Sequence, residues 1–222
     1  MRVLRKLRKD ENINDAYLEE TIRTYNKIAT IYFRRWDRLT RKEIYFLEEF
    51  LLLIRGKTIL DVGCGTGKDG NYFKERGYQV IGIELSEGMI NHGRKRIDVI
   101  KCDMRKLPLR NEAVDGIWSN TSLVHVKEKL STIKEWQRVL KHGGIIGITI
   151  QNKIFPKYLL RQLQTGVKKR KFKWGYANYD GRHWWYLTMW ELPKLFSKEE
   201  FEIIYYTKNP LARWLRIFAK KK

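Results

Sequence analysis

The sequence predicts a doubly wound α/β fold on a largely parallel sheet. Short apolar, β-branched runs fall at 58–62, 79–84 and 98–102, and each ends in or beside an acid. Segments with helical spacing separate them. Straight after the first run, Asp61-Val62-Gly63-Cys64-Gly65-Thr66-Gly67 places glycine at every second position. Strand, glycine-rich turn and helix in that order bring the backbone of a parallel sheet close to a small polar ligand.

Taken in chain order, Ile13, Tyr17, Ile22, Tyr25, Ile28 and Ala29 recur at helical intervals over 13–33. Ile44, Leu47, Phe50, Leu51 and Ile54 do so over 41–55, and Gly56 is the stop. Strand one covers 58–62, and a helix over 68–76 ends at Gly77. Strand two covers 79–84, after which Ser86 caps a helix running to 96. Strands three and four fall at 98–102 and 114–119, followed by a helix at 127–140. Gly143-Gly144 turn the chain into strand five at 145–150. Residues 153–187 break the periodicity and read as an insertion. A helix over 188–198, a strand over 201–207, an Asn209-Pro210 turn and a strand over 211–219 follow.

Loop spacing narrows the ligand. A dinucleotide fingerprint reads G-x-G-x-x-G, with a helix N-terminus aimed at a pyrophosphate. Here it is G-x-G-x-G, and Asp61 stands two residues before the first glycine. A carboxylate there repels phosphate and suits a cation, such as the amino group of a methionine moiety. Asp69 also occupies the place where a P-loop needs a Mg-binding hydroxyl. The ligand read from this is S-adenosylmethionine (SAM) rather than NAD or ATP, although glycine-rich turns also occur with no ligand. Glu84, twenty-three positions after Asp61, is placed to accept from both ribose hydroxyls, which SAM and NAD share. Asp103 is placed to accept from the adenine amino group, with Met104 against the ring face.

On these residues the chain resembles the class I SAM-dependent methyltransferases, the large Rossmann-like family. The similarity runs from about Tyr25 to Ile150. Besides the glycine loop it takes in Gly82-Ile83-Glu84-Leu85-Ser86, Cys102-Asp103-Met104 with Leu107-Pro108-Leu109, and Val114-Asp115-Gly116-Ile117-Trp118. It also includes the helix and turn from Glu135 to Gly144. The resemblance implies a three-layer fold, with a mostly parallel seven-stranded sheet and an antiparallel last strand. Carried over by position, Asp61 with Gly63, Gly65 and Gly67 holds the methionine part, Glu84 the ribose, and Asp103 with Met104 the adenine. Cys64, Leu85 and Ser119 complete the cofactor set. Glu84 stands where many members have Asp, and His142 replaces a proline common in that turn. The chain then divides into an N-terminal helical lid (1–57), a SAM-binding core (58–152), a substrate-recognition insertion (153–187) and a closing helix and hairpin (188–222).

Composition bounds the remainder. The 222 residues suffice for one domain with a sizeable core. No apolar run approaches the roughly 18 residues of a membrane span, and the basic stretch from Met1 to Lys9 lacks the apolar centre of a secretory signal. Cys64 and Cys102 have no metal-ligand spacing, so a reduced, cytoplasmic protein without a metal is expected. The formal charge of +21 is uneven: residues 153–222 carry 17 basic and 5 acidic side chains and so supply +12. A Lys-rich proteome would bring balancing Glu, which this third lacks. A polyanionic partner is the better account, RNA (tRNA) first and an anionic membrane surface second.

The insertion carries the candidate substrate contacts. Lys168, Lys169, Arg170, Lys171 and Lys173 interleave with Phe172 and Trp174, a pattern that tracks phosphates and stacks bases at about 1–3 kcal/mol per base. Trp184 and Trp185 suit core packing at least as well. Arg182 and His183 open a stretch similar to the substrate-side Arg-aromatic segment of family members, including eukaryotic wobble-uridine tRNA methyltransferases.

For the chemistry, in-line transfer from a sulfonium needs mainly alignment, and a base only if the acceptor must lose a proton. Ser119-Asn120-Thr121 follows strand four and lacks the Asn/Asp-Pro-Pro-Tyr/Phe pattern of exocyclic-amine methylation. No Pro-Cys pair is there to serve as a cytosine-C5 nucleophile. Asn120, His125 and Tyr25 are the catalytic candidates, and packed, hydrogen-bonded roles fit His125 and Tyr25 as well. Three functions follow: RNA methylation, methylation of a small molecule or protein, and non-catalytic binding of SAM or RNA.

Overall fold

Period-two runs and helical runs alternate along the chain, and each finds its partner layer. The computed structural model describes residues 16–169, 173 and 175–222. Two helices lead, α1 (Ala16–Trp36) and α2 (Arg41–Leu53). The alternating part follows as β1 (Thr58–Val62), α3 (Lys68–Glu75), β2 (Gln79–Glu84), α4 (Glu87–Gly93), β3 (Asp98–Lys101), β4 (Val114–Asn120), α5 (Lys129–Val139) and β5 (Leu140–Gln151). Next come α6 (Pro156–Lys169) and a separate hairpin, β6 (Tyr176–Tyr179) with β7 (Arg182–Trp185). Strands β8 (Phe201–Tyr206) and β9 (Trp214–Lys221) finish the main sheet.

That sheet has seven strands in the order β3-β2-β1-β4-β5-β9-β8. Pairing is parallel from β3 through β5, and β9 runs antiparallel to both of its neighbours. This is the expected mixed sheet. The order reverses between β1 and β4, which opens a crevice beyond their carboxyl ends.

Strand alternation feeds a core on each face. Leu60, Val62 and Ile117 join Trp136, Ile146 and Ile148 on one side. Ile59 and Trp118, their immediate neighbours, join Phe46, Phe50, Phe73 and Phe218 on the other. Helix starts follow the capping chemistry. Thr40 and Glu43 form a reciprocal capping box on α2, and Ser86 Oγ accepts from Met89 N at the head of α4.

Several elements differ from expectation. No α-helix forms over 188–198. Pro193 lacks the N–H that a helix interior needs and disfavours helical backbone before it, leaving one 3-10 turn at Pro193–Leu195. The 153–187 insertion contains regular structure, α6 and the β6–β7 hairpin. Its helix was hidden because the side chains it buries are Tyr158, Gln162 and Thr165, while Leu160, Leu163 and Val167 face solvent. Its hairpin turns on Asp180 and Gly181 at φ 59° and 83°, as the Asp-Gly pair of a type I′ turn does. Strand β5 also starts at Leu140, ahead of the glycines, and accommodates Gly143 at φ 73°.

Candidate active site

The crevice at the strand reversal is a cleft roofed by α1. Its floor is the β1–α3 loop. Gly63 has φ 69°, and a Cβ there would lie 2.2 Å from Ser122 Cβ. Its N–H and that of Cys64 both donate to Ile83 O, at 2.7 and 3.0 Å. Gly65, at φ 54°, has nothing within 4 Å of a Cβ position and opens into the cleft. It forms a cradle that any side chain would fill.

Glu84 faces this cradle from the end of β2. Its carboxylate accepts from the N–H groups of Gly65 (3.0 Å), Leu85 (2.8 Å) and Ser86 (2.9 Å). Burial raises its pKa, and the three N–H bonds work against that rise. The side chain is thereby fixed with acceptor capacity left for a diol.

Beneath the loop, two buried carboxylates sit close together. Asp69 Oδ2 accepts from Trp118 Nε1 and Asn120 Nδ2, both at 2.8 Å. Asp69 Oδ1 and Asp61 Oδ2 are buried with no hydrogen-bond partner among the described residues. Burial first, and then the Asp69 charge, hold the Asp61 carboxyl well above the usual range. Orphaned anionic oxygens in a dry site are costly unless a cation meets them. The cleft lining, Glu84 with Met104, Cys102 and Ile83 as the apolar wall, fits a ribose and an apolar base, and the two orphaned carboxylate oxygens beneath the loop suit an ammonium group.

Five of the cofactor candidates line the cleft: Gly63, Gly65, Glu84, Leu85 and Met104. The other five do not. Asp61 lies under the loop, and Gly67 is the left-handed N-cap of α3, packed against Gly93. The Cys64 sulfur turns toward Gly82, its thiol pKa pushed up by burial. Ser119 Oγ is buried against Ser122 Oγ at 2.8 Å. Asp103 departs furthest, since Arg105 Nε and Nη2 take its carboxylate at 2.9–3.2 Å. Arg105 and Lys106 follow Asp103 closely in the sequence, and the folded chain shows that Arg105 takes its carboxylate.

The three catalytic candidates all face the cleft. Tyr25 Oη lies 2.9 Å from His125 Nε2, and His125 Nδ1 lies 2.6 Å from His183 O. A carbonyl only accepts, so Nδ1 carries the proton and Nε2 accepts from Tyr25. Burial lowers the His125 pKa to about 4 and raises that of Tyr25. Arg182 lies over the Tyr25 ring, 5.3 Å from its centroid, and its charge works against that rise. Its salt bridge to Asp180, at 2.5 Å, leaves the guanidinium largely buried while Asp180 remains 40% exposed. Asn120 is an anchor for Asp69 rather than a group free to react.

His183 is structural rather than substrate-facing. Its ring meets Glu20 Oε2 (2.7 Å) and Tyr176 Oη (2.7 Å), and its N–H donates to Thr21 Oγ1 (3.1 Å). These contacts strap the hairpin to α1. Lys168 and Lys173 are exposed and do not line the cleft. Arg170, Lys171 and Trp174 lie outside the described residues, as does the Lys169 side chain. Sequence reasoning missed Asp69 as a cofactor-side acid, although its position just past the glycine loop is a usable signal. It also missed Asn26, whose Oδ1 accepts from Ser86 Oγ and Gly88 N and so ties α1 to the head of α4.

Comparison with known proteins gives a match of residues 60–148 to a methyltransferase domain family. A malonyl-[acyl-carrier protein] O-methyltransferase of Enterobacter lignolyticus is 26% identical over 54% of this chain and 49% of that enzyme. A demethylmenaquinone methyltransferase of Renibacterium salmoninarum is 28% identical over 59% of this chain and 56% of that enzyme. The chain thus spans about half the length of the curated relatives it matches. Among solved structures, a geranyl diphosphate C-methyltransferase of Streptomyces coelicolor superposes with a TM-score of 0.71 at 15% identity. That match covers 96% of this chain and 100% of the other. A SAM-dependent methyltransferase of Thermotoga maritima gives 0.66 at 22% identity over 90% and 99%. Both superpositions show the fold.

Proposed function

With a class I, Rossmann-like SAM-dependent methyltransferase domain at residues 60–148 as the premise, we propose that the protein methylates an oxygen of a small molecule held under α1. SAM, when bound, supplies an electrophilic methyl group on a sulfonium. The chain's own residues hold and orient. Asp61 and Asp69 neutralise the ammonium, Glu84 accepts from the ribose hydroxyls, and Gly65 leaves room for backbone contact. On the other side, Tyr25 and Arg182 position the acceptor.

As the oxygen gains a methyl group it loses its proton to Tyr25 Oη, while the Tyr25 proton passes to His125 Nε2. The imidazolium then holds one proton on each nitrogen, with Nδ1–H still bonded to His183 O. Burial keeps His125 a weak base, so it accepts only from a group made strongly acidic by the transfer, as an oxygen becomes when alkylated. The Tyr25–His125–His183 chain beside Arg182 is the observation that carries this reading.

The small-molecule part of this reading is supported by relatives named for small or carrier-bound acceptors rather than RNA, and the oxygen by the one named an O-methyltransferase. The test is label transfer from methyl-labelled SAM to total RNA and to a panel of phenols and carboxylates. Label in the low-molecular-weight fraction is expected, and label confined to RNA overturns the acceptor class. Asp61→Asn should weaken SAM binding in calorimetry about tenfold or more, and unchanged affinity overturns the cofactor assignment.

A further inference from the structure

Helix α6 is inside out. Along it the exposed positions are 156, 157, 160, 163, 164, 167 and 168, one continuous face. Three aliphatic side chains stand on that face, Leu160 (54% exposed), Leu163 (49%) and Val167 (80%). Beyond Tyr158, which packs in the core, its inward face is polar and hydrogen-bonded. Gln162 donates to Lys153 O and accepts from Gly175 N, and Thr165 Oγ1 exchanges bonds with the Asn178 backbone. A surface helix of a water-bound protein shows the reverse arrangement.

Cationic side chains flank the stripe. Lys157 and Lys168 stand beside the aliphatic side chains on the exposed face, in a sequence with eight Lys and Arg and no Asp or Glu from Lys153 to Tyr179, of which Lys153 is buried against Glu191. The Asn209–Ala212 turn adjoins the head of α6, held by Asn152 Nδ2 to Pro210 O and Ala212 O and by Arg213 Nε to Tyr158 Oη. It presents Leu211 at 71% exposure beside Lys208.

We propose that α6 and this turn form an interfacial platform that seats the protein on an anionic lipid bilayer. Leu160, Leu163 and Val167 enter the acyl boundary while Lys157 and Lys168 meet headgroups. Apolar stripe and cationic flank together select this partner. Nucleic acid offers nothing to three aliphatic side chains, and a second copy would bring the same positive charge against itself. The platform stands independently of the reaction proposed above.

The test is flotation of the full chain with phosphatidylcholine vesicles, with and without a phosphatidylglycerol fraction. Each lysine at the surface strengthens binding about fivefold, so association at least about tenfold stronger with the anionic vesicles is expected, weakening as salt is added. A Leu163→Glu/Val167→Glu variant should lose most of that association. Its thermal unfolding should be unchanged, because both side chains are exposed. Equal binding to both vesicle types, or wild-type binding by the double variant, overturns the platform. Self-association in solution that the double variant abolishes would assign the face to a second copy instead. Retention on tRNA without vesicle association would assign it to nucleic acid.

Discussion

The two walls of the cleft are built in opposite ways. On the cofactor wall, backbone holds the loop and Glu84: three N–H groups fix Glu84, and the Ile83 carbonyl fixes the loop, while side chains enter at Asp69. On the α1 wall, side chains from distant segments do the work. Tyr25 meets His125 across 100 residues, and His183 meets Thr21 and Glu20 across more than 160. Backbone geometry follows from a local glycine and strand pattern, so it tolerates change elsewhere. A wall assembled from remote side chains is specific to one chain and can be altered piece by piece. That suits a shared cofactor facing a variable acceptor.

Substitutions test that division. The largest effect is expected for Gly65→Val, which fills the cradle and forces a β-branched residue to φ 54°, a strain of about 1–2 kcal/mol. Cofactor affinity by calorimetry should fall about a hundredfold or more while far-ultraviolet circular dichroism is retained. Tyr25→Phe should leave that affinity within about threefold and lower turnover about a hundredfold. Equal losses in both quantities would mean that the walls are not separable.

A third test uses pH. His125 titrates near 4 in the folded protein against an ordinary 6.5, so between those values the unfolded chain binds more protons. Its contribution to stability is full above pH 6.5 and is lost as pH falls through 4. The buried carboxyls of Asp61 and Glu84, with raised pKa, push the other way. They cancel in a comparison with His125→Asn. Denaturant titrations should show the difference shrinking by on the order of 1–3 kcal/mol on acidification. The smallest effect is expected for Glu20→Gln, which loosens the hairpin strap. A cost of about 1 kcal/mol in unfolding free energy, with unaltered cofactor affinity, would place that strap outside the cofactor wall.

The same division governs what the sequence discloses. Strands β1 and β2 fall on their expected residues, because apolar runs and bounding glycines are local signals. Glu84 and Gly65 face the cleft for the same reason. Asp103 does not, because no strand-end rule reveals that Arg105 will take its carboxylate. Helix α6 escaped because periodicity identifies which side chains share a face, not which face meets the core. His183 looked like a substrate contact because a histidine beside an arginine gives no hint of a strap to Glu20. Tyr25 and His125 were legible as residues but not as a pair, since only the folded chain brings them within 2.9 Å.

One consequence lies in the hydroxyl of Tyr25. Its hydrogen is committed to His125, so what remains on the oxygen is an acceptor with nothing to give. In the proposed reaction an incoming hydroxyl satisfies it, and the methyl ether that leaves does not. Substrate and product then differ by one hydrogen bond at a buried point, about tenfold in affinity. The enzyme would be rid of what it makes more readily than of what it awaits.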